Sequence, residues 1–451
     1  MINTLINKNP WWQNKTNYNI SKKYFPREIS NILDIYLKRP QIIALIGLRR
    51  VGKSSLLFSH IQNSLKQNKI NPQDILYFDF EENKKEDLEE IIETYFKEIL
   101  EKSIHDIQKR VYIILDEIQY AKNWNSILKK YYDQNQNLKF LITGSSSLFI
   151  KTKSRESLAG RIYTFHIQPL YFHEYLNFIN FQHQIKRINL TKITPQTIKK
   201  NQKFHNLFKD DILKNFYKYI IQGEFPEIVH EDNKQIVISY TQDSVLDKAL
   251  YQDIPLLFKI TKQEELAEFF TIMARELGTL QEWDRLSKKI QINKNSLTKY
   301  IHALENAYLI NICKKYTKSF RGQQIAPKKI IFESINLVLN LIKYRKNDPF
   351  FRDMIGFICE NYIYNRLKKD FENIYYFNDG KKEVDFILKN NQKIIPVEVK
   401  FRKNIINKDL EGLIYFCKQN NIKKAVLITR DILEEEKYQN IKIYKIPFYM
   451  V

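Results

Sequence analysis

The sequence predicts an α/β protein of several domains, and three observations support this fold class. A glycine-bounded loop at 47–54 lies between an apolar strand at 41–46 and the start of an apolar-periodic helix. Helix, turn, helix and strand patterns follow one another over 262–318. Near the C-terminus, carboxylates and a lysine alternate along strands within 380–400. A chain of 451 residues is long enough for two or three domains, each with its own core.

The composition excludes several classes of protein. Hydrophobic content of 43% with 14% aromatic residues excludes a disordered or low-complexity chain. No apolar run approaches the roughly 18 residues that a membrane span needs, and the polar residues 1–19 contain no apolar signal core. The three cysteines, Cys313, Cys359 and Cys417, are too widely spaced for a zinc site or a disulfide framework. We therefore expect a cytoplasmic protein without a membrane partner.

The net charge leaves a nucleic-acid partner open without establishing it. The chain has 73 Lys and Arg against 51 Asp and Glu, a formal charge of +22. Neutralisation of phosphates by such residues dominates binding to DNA. The basic excess is spread along the chain, however. A coding sequence rich in A and T would favour Lys, Asn, Ile and Tyr throughout and would produce the same excess. The charge supports DNA binding only together with a DNA-binding segment.

A phosphate-binding loop is the first motif with a defined chemistry. The chain has only ten glycines, where average usage would give roughly thirty, so each is expected where a side chain is not tolerated. Residues 47–54 complete the pattern GxxxxGK[ST] between a strand and a helix. Backbone amides of such a loop surround phosphates at a helix N-terminus. Lys53 would then contact the β- and γ-phosphates of ATP, and the Ser54 hydroxyl would bind Mg²⁺.

Two further strands complete the predicted nucleotide site. The apolar strand 111–115 is followed by Asp116, which would hold Mg²⁺ through water, and Glu117, which would act as general base towards the attacking water. The strand that begins at 139 should lie beside it and present hydroxyls to the γ-phosphate. The predicted nucleotide-binding residues are Gly47, Arg50, Gly52, Lys53, Ser54, Ser55, Asp116, Thr143 and Ser145.

Two arginines precede the next predicted strand, at 162–167. Arg155 and Arg161 occupy the position from which ring-forming ATPases supply an arginine finger to the neighbouring subunit. This interpretation implies a homo-oligomer, for which a ring is one arrangement. The alternative is that each arginine pairs with a local carboxylate such as Glu156.

The middle of the chain contains a polar stretch and a candidate DNA-binding segment. Residues 177–219 show little apolar periodicity and are interpreted as an insertion or a loose connection before a helical lid. Two helices, a turn at 291–293, a third helix and a strand then suggest a winged helix. Its recognition helix would present Lys294, Asn295, Ser296 and Lys299 to DNA. Winged helices also serve as protein-interaction modules, which is the alternative.

The C-terminal segment combines three carboxylates with a lysine. Glu360 lies in the middle of a predicted helix, Asp385 on a hairpin strand, and Glu398 and Lys400 on one face of the next strand. The pattern resembles the metal site of the PD-(D/E)xK nuclease superfamily. By that resemblance Asp385 and Glu398 would bind Mg²⁺ with help from Glu360, and Lys400 would act on the attacking water.

Three alternatives to a nuclease site stay open. Glu398 and Lys400 could form an ordinary charge pair on a solvated face. The likeness could be structural, with the site kept for binding alone. Glu383 could replace Asp385 as the ligand, because the two residues share a face of the strand.

Several of these motifs together resemble one family. The segments 47–54, 115–119, 143–146 and 158–161, the last followed by 168–174, are similar to those of prokaryotic AAA-type ATPases with a C-terminal DUF4143 region. The segments 223–227 and 247–253 also resemble family elements, with Glu224 replacing a glycine. The resemblance implies an AAA+ core with a helical lid, a winged helix and a restriction-endonuclease-like α/β domain.

The motifs predict four domains and a function. They are an ATPase domain at 1–176, a polar insertion with the helical lid at 177–260, a winged helix at 261–345 and a nuclease-like domain at 346–451. We expect an AAA+ protein that uses ATP and Mg²⁺ to act on DNA, with Mg²⁺-dependent nuclease activity as an open extension. The alternative is a nucleotide-controlled switch or scaffold whose C-terminal domain docks a partner without cleaving it.

Overall fold

The computed structural model describes the chain except residues 14–26, 67–69, 84, 145–157, 343–348 and 391–392. The described residues form two compact units. Unit 1 comprises residues 1–169 with 306–308, and unit 2 comprises 170–305 with 309–451. No helix in the described part of the chain combines the length and the apolar character that crossing a bilayer requires.

Unit 1 is built on a parallel five-stranded sheet in the order β2-β3-β4-β1-β5. Every residue of β1 and β4 is buried, which is typical of parallel strands covered on both faces. The predicted pairing of β4 with β3 is confirmed, while β2 was not anticipated. The strands are β1 (Ile42–Ile46), β2 (Ile75–Asp79), β3 (Val111–Asp116), β4 (Leu138–Gly144) and β5 (Ile162–His166).

The described residues of unit 1 also form the helices α1 (Ile2–Lys8), α2 (Ser30–Leu37), α3 (Lys53–Lys66), α4 (Leu88–Tyr95) and α5 (Trp124–Gln134). A π-helical turn, Phe96–Leu100, extends α4. The buried Lys139 ammonium donates to the backbone carbonyls of Tyr36 at 3.1 Å and Arg39 at 2.9 Å. Carbonyls at the C-terminal end of a helix lack hydrogen-bond partners within the helix. Lys139, which lies on β4, therefore donates the hydrogen bonds that the end of α2 requires.

Unit 2 begins with helices: α6 (Phe172–Phe178), α7 (Pro195–Lys218), α8 (Lys234–Ser239), α9 (Ile254–Phe258) and α10 (Gln263–Arg275), with π-helical segments Tyr219–Gly223, Tyr240–Leu246 and Lys248–Asp253. The prediction of a loose connection within 177–219 was wrong, because α7 is a regular helix of 24 residues. Thr194 caps it by accepting from the Thr197 amide. Its buried face includes polar Asn201 and His205, which obscured the apolar periodicity.

The next segment contains β6 (Leu280–Gln281), α11 (Trp283–Lys289), α12 (Lys294–Asn306), β7 (Ile310–Lys315), α13 (Phe320–Ile325) and β8 (Lys328–Phe332). The predicted order of helix, turn, helix and strand is present. The sequence did not indicate β6 and β8, which pair with each other in antiparallel fashion, nor the antiparallel pairing of β8 with β7. Three strands joined in antiparallel fashion therefore accompany the two helices.

The C-terminal part contains α14 (Ile335–Leu341), α15 (Pro349–Leu367), β9 (Asn373–Asn378), β10 (Glu383–Asn390), β11 (Lys393–Lys400), α16 (Glu411–Gln419), β12 (Lys424–Thr429), β13 (Glu434–Tyr438) and β14 (Ile441–Pro447). The strands of unit 2 form one sheet in the order β13-β14-β12-β11-β10-β9-β7-β8-β6. A Cβ at Gly412 would lie 2.1 Å from the Glu383 carbonyl oxygen, so α16 packs against β10 more closely than another residue would allow.

Candidate functional site

The phosphate-binding loop has the backbone conformation that its sequence predicts. Gly47, Arg50 and Gly52 have positive φ of 147°, 64° and 92°, so the chain curls tightly between β1 and α3. A Cβ at Gly47 would lie 2.2 Å from the backbone oxygen of Ile167, which only glycine avoids. Ser54 and Ser55 lie in the first turn of α3 and are partly exposed. A curled loop that leads into a helix N-terminus suits a polyphosphate ligand.

Lys53 is held inside this loop. Its side chain is 4% exposed, and its ammonium donates to the carbonyls of Leu48 at 2.9 Å and Gly47 at 3.2 Å. The same ammonium lies 3.7 Å from the carboxylate of Glu117. The positive charge is therefore fixed between the loop and the predicted general base.

Asp116 and Thr143 meet at the C-terminal ends of β3 and β4. The Thr143 hydroxyl donates to Asp116 and accepts from the Glu117 backbone amide at 3.0 Å, so it connects both predicted acidic residues. The other Asp116 oxygen accepts from the Tyr77 hydroxyl at 3.2 Å. Burial, with Asp116 nearby, raises the pKa of Tyr77, which keeps this hydroxyl protonated. Sequence reasoning missed Tyr77 because β2 carries no recognisable motif.

Glu117 has a left-handed backbone conformation, with φ 49°, directly after β3. Its carboxylate accepts a hydrogen bond from the Gln119 side chain. Burial raises the pKa of Glu117, and the Lys53 ammonium opposes that rise. A carboxylate whose pKa is shifted upwards is a stronger proton acceptor, which is the property that a general base requires.

The two arginines of the loop differ in their surroundings. Arg49 is buried, and its guanidinium pairs with Glu81 at 2.8 Å and with the Tyr120 hydroxyl at 2.9 Å. Arg50, the predicted binding residue, is exposed. Sequence reasoning missed Arg49, because both of its partners lie outside the phosphate-loop motif.

Of the other predicted residues, Ser145 and Arg155 lie outside the described residues. Arg161 precedes β5, and its carbonyl accepts from the Ile42 amide at 2.8 Å, where the parallel strands begin. The phosphate-binding loop follows the opposite end of β1, roughly 15 Å away for a five-residue strand. Arg161 donates to Asp133 at 2.7 and 3.1 Å, a local pair with a different carboxylate from the one the sequence suggested. Arg161 therefore lies at the far end of β1 from the phosphate-binding loop of its own chain, and its role as an arginine finger stays a prediction.

In unit 2 the structure brings together all four residues of the predicted nuclease-like site. The Lys400 ammonium lies 2.5 Å from one carboxylate oxygen of Glu398, as expected for neighbours on one strand face. The other Glu398 oxygen accepts from the Asp385 amide at 3.2 Å, and Asp385 accepts from the Val399 amide at 2.9 Å. Burial raises the pKa values of Glu360 and Glu398. Asp385 is buried, whereas Glu383 on the same strand is exposed.

A fifth residue, Lys329 of β8, enters this cluster and was not predicted. Its side chain is 2% exposed, and its ammonium lies 2.5 Å from Glu360, 3.5 Å from Glu383 and 3.7 Å from Asp385. Across the residues that the structure describes, no group of three or more His, Cys, Asp or Glu side chains is arranged to hold a metal ion. Because an ammonium group lies among these carboxylates, they form an ion-pair cluster, and this arrangement does not fit the Mg²⁺ that the resemblance implies.

Three family models match separate parts of the chain. An AAA domain matches residues 39–176, and a domain of unknown function, DUF8612, matches residues 213–348. A second domain of unknown function, DUF4143, matches residues 355–449. The first match covers the phosphate-binding loop and both acidic residues after β3, and the last covers Glu360, Asp385, Glu398 and Lys400.

Similar proteins come from archaea and bacteria. An uncharacterized protein of Methanocaldococcus jannaschii is 26% identical over 405 residues, which is 88% of this chain and 82% of that protein. A second protein of that organism, also uncharacterized, is 26% identical over 394 residues, or 82% and 78% of the two chains. An uncharacterized protein of Haemophilus influenzae is 25% identical over 429 residues, or 91% and 94%.

Two solved structures show a distant likeness. The Aeropyrum pernix ORC2 protein, in ADPNP and ADP complexes, has a TM-score of 0.40 and 11% identity, over 73% of this chain and 98% of that one. The Saccharomyces cerevisiae Hsp104–ADP complex has a TM-score of 0.31 and 15% identity, over 63% and 40%. The chain thus contains an AAA domain and a C-terminal DUF4143 domain, and it has prokaryotic relatives.

Proposed function

We propose that the chain binds and hydrolyses ATP in unit 1 and uses this cycle to act on DNA through unit 2. The observation that supports hydrolysis best is the buried Lys53 ammonium 3.7 Å from Glu117, inside a loop with three positive φ angles. In this proposal the loop amides and Lys53 bind the phosphates, and Glu117 takes a proton from the attacking water. Gln119 orients the Glu117 carboxylate through its hydrogen bond.

The proposed site also fits Mg²⁺. The Ser54 hydroxyl, in the first turn of α3, and the Asp116 carboxylate at the end of β3 would hold the ion. Bound Mg²⁺ would neutralise charge on the phosphates. Thr143 and Tyr77 fix the Asp116 carboxylate from two sides, so its orientation does not depend on the ion.

Replacing Lys53 tests the proposed ATPase activity. We expect Lys53→Ala to lower ATP turnover by roughly two orders of magnitude or more, because a positive charge at the phosphates is removed. The matched control is Lys97→Ala, whose ammonium is 83% exposed in the same unit and should leave turnover unchanged. Steady-state phosphate release measures both. Unchanged turnover in Lys53→Ala would remove the basis for the assignment.

The proposed contact with DNA rests on a local concentration of charge. Residues 283–330 contain eleven Lys or Arg and only two Asp or Glu, a formal charge of +9. On α12 the exposed residues include Lys294, Asn295 and Lys299, and the segment between β7 and β8 exposes Lys318 and Arg321. Two helices beside three antiparallel strands, which lie at one edge of the nine-stranded sheet, support the interpretation as a winged helix. The net charge of the whole chain does not reveal this local concentration of basic residues.

A triple variant tests the proposed DNA contact. We expect replacing Lys299, Lys318 and Arg321 together by Ala to weaken duplex DNA binding about tenfold or more and to reduce the salt-dependence slope by roughly 2–3. The control replaces three exposed lysines of unit 1, Lys97, Lys102 and Lys109. Affinity is measured by fluorescence anisotropy at several salt concentrations. Absence of salt-dependent binding by the unmodified protein, with ATP turnover indifferent to DNA, would favour the nucleotide-controlled switch instead.

A further inference from the structure

In the C-terminal carboxylate cluster, carboxylates and aromatic rings surround the Lys329 ammonium. All five residues of β8 are buried, and Lys329 projects among Glu360, Glu383 and Asp385 at 2.5 to 3.7 Å. The ring centroids of Tyr376 and Phe386 each lie 5.9 Å from its nitrogen. Carboxylates with aromatic rings around them are the surroundings that stabilise a buried cation.

We infer that the Lys329 ammonium takes the place of a divalent cation in this cluster, so that the DUF4143 domain of this protein holds no catalytic metal. Each of the three carboxylates that a metal would need already has an ammonium group beside it. For Asp385 the partners are the Val399 amide and Lys329, and for Glu398 they are Lys400 and the Asp385 amide. For Glu360 the partner is Lys329.

A metal ion could not join this arrangement without breaking it. Mg²⁺ requires oxygen ligands at about 2.0–2.1 Å in near-octahedral geometry, so it would have to displace the ammonium from Glu360 and Asp385. Lys329 would then be a buried charge without a partner, and an unpaired buried charge costs several kcal/mol. The tethered ammonium is present at every metal concentration, so an ion would have to bind strongly enough to offset the cost of displacing it.

The same geometry gives the cluster a positioning role. Lys329 belongs to β8, which pairs with β6 and β7, whereas Glu360 belongs to α15 and Asp385 to β10. The ion pairs consequently hold β8, in the basic segment 283–330, against α15 and β10 within unit 2. Lys400 pairs with Glu398, so both ammonium groups of the cluster neutralise carboxylates.

Binding of Mn²⁺ to the full-length protein tests this inference. All variants carry Asp116→Asn, which removes the metal ligand of the proposed nucleotide site, and free Mn²⁺ is followed by electron paramagnetic resonance. We expect no tight site in this background and none after adding Asp385→Asn. Adding Lys329→Ala should create one site that binds Mn²⁺ at least tenfold more tightly than the background protein does. Adding Asp385→Asn to this variant should abolish the site.

Two results would overturn the inference. One is a tight Mn²⁺ site in the background protein that Asp385→Asn abolishes, or Mg²⁺-dependent DNA cleavage by the unmodified chain that depends on Asp385. The other is a folded Lys329→Ala protein that gains no site.

Thermal unfolding checks the positioning role, even if Lys329→Ala proves too unstable for metal titration. Lys329→Met should lower the Tm by roughly 5–10 °C, because it leaves buried carboxylates unpaired. Adding Glu360→Gln should restore part of the loss by removing one of those charges. An unchanged Tm in Lys329→Met would contradict the proposed role, and none of these outcomes depends on ATP turnover.

Discussion

Glu117→Gln is expected to lower the ATP turnover number by roughly 10²–10⁴-fold while ATP affinity stays near that of the unmodified protein. The amide keeps the size of the side chain and its contact with Gln119 but cannot accept a proton. Burial raises the pKa of Glu117, which favours its action as a base. Lys53→Ala should instead weaken ATP binding as well, because the proposed role of this ammonium is to contact phosphate in both ground state and transition state.

Steady-state turnover and binding of a fluorescent ATP analogue separate the two effects. Glu81→Gln is the matched control, since this carboxylate also lies beside the loop but pairs with Arg49. We expect Glu81→Gln to change turnover less than about tenfold, because a partly exposed ion pair contributes little free energy. Retained turnover in Glu117→Gln, or an equal loss in Glu81→Gln, would assign the base to another residue.

Local motifs allowed the nucleotide site to be predicted from the sequence. Strands β1, β3 and β4 are short continuous apolar runs, and the polar residues that follow them meet at one edge because the strands are parallel. Thr143 thus contacts both Asp116 and Glu117, although more than twenty residues separate them. The position of these residues directly after parallel strands was sufficient to predict that they lie close together.

Residues whose role depends on distant partners could not be predicted. Lys329 reads as the start of an ordinary strand, and its role appears only when α15 brings Glu360 beside it. Helix α7 was missed for a related reason, because the partner of its inward-facing His205 is Tyr449, 244 residues away, at 2.5 Å. In both cases a polar side chain occupies a buried position that periodicity assigns to an apolar one.

Glu224→Ala is expected to destabilise unit 2 by about 3 kcal/mol, because buried groups would lose their partners. Glu224 lies at the position where the family has a glycine, and its carboxylate is buried. It accepts from the Ser334 hydroxyl at 2.5 Å and the Asn336 amide at 2.8 Å, where α14 begins. Hydrogen–deuterium exchange of the α14 amides measures the loss within unit 2 alone. The control, Glu227→Ala, removes an exposed carboxylate of the same motif.

The pH dependence of stability provides an independent check on Glu224. Burial raises the pKa of its carboxyl from 4.5 to about 7. Between these values the folded protein keeps a proton that the unfolded chain has released, so stability falls as pH rises through this window, by up to about 3 kcal/mol. Below pH 4.5 both states are protonated, and above pH 7 both are ionised, so this contribution stops changing. Glu224→Gln should remove this part of the slope, and an identical slope in variant and unmodified protein would show that Glu224 ionises normally in the fold.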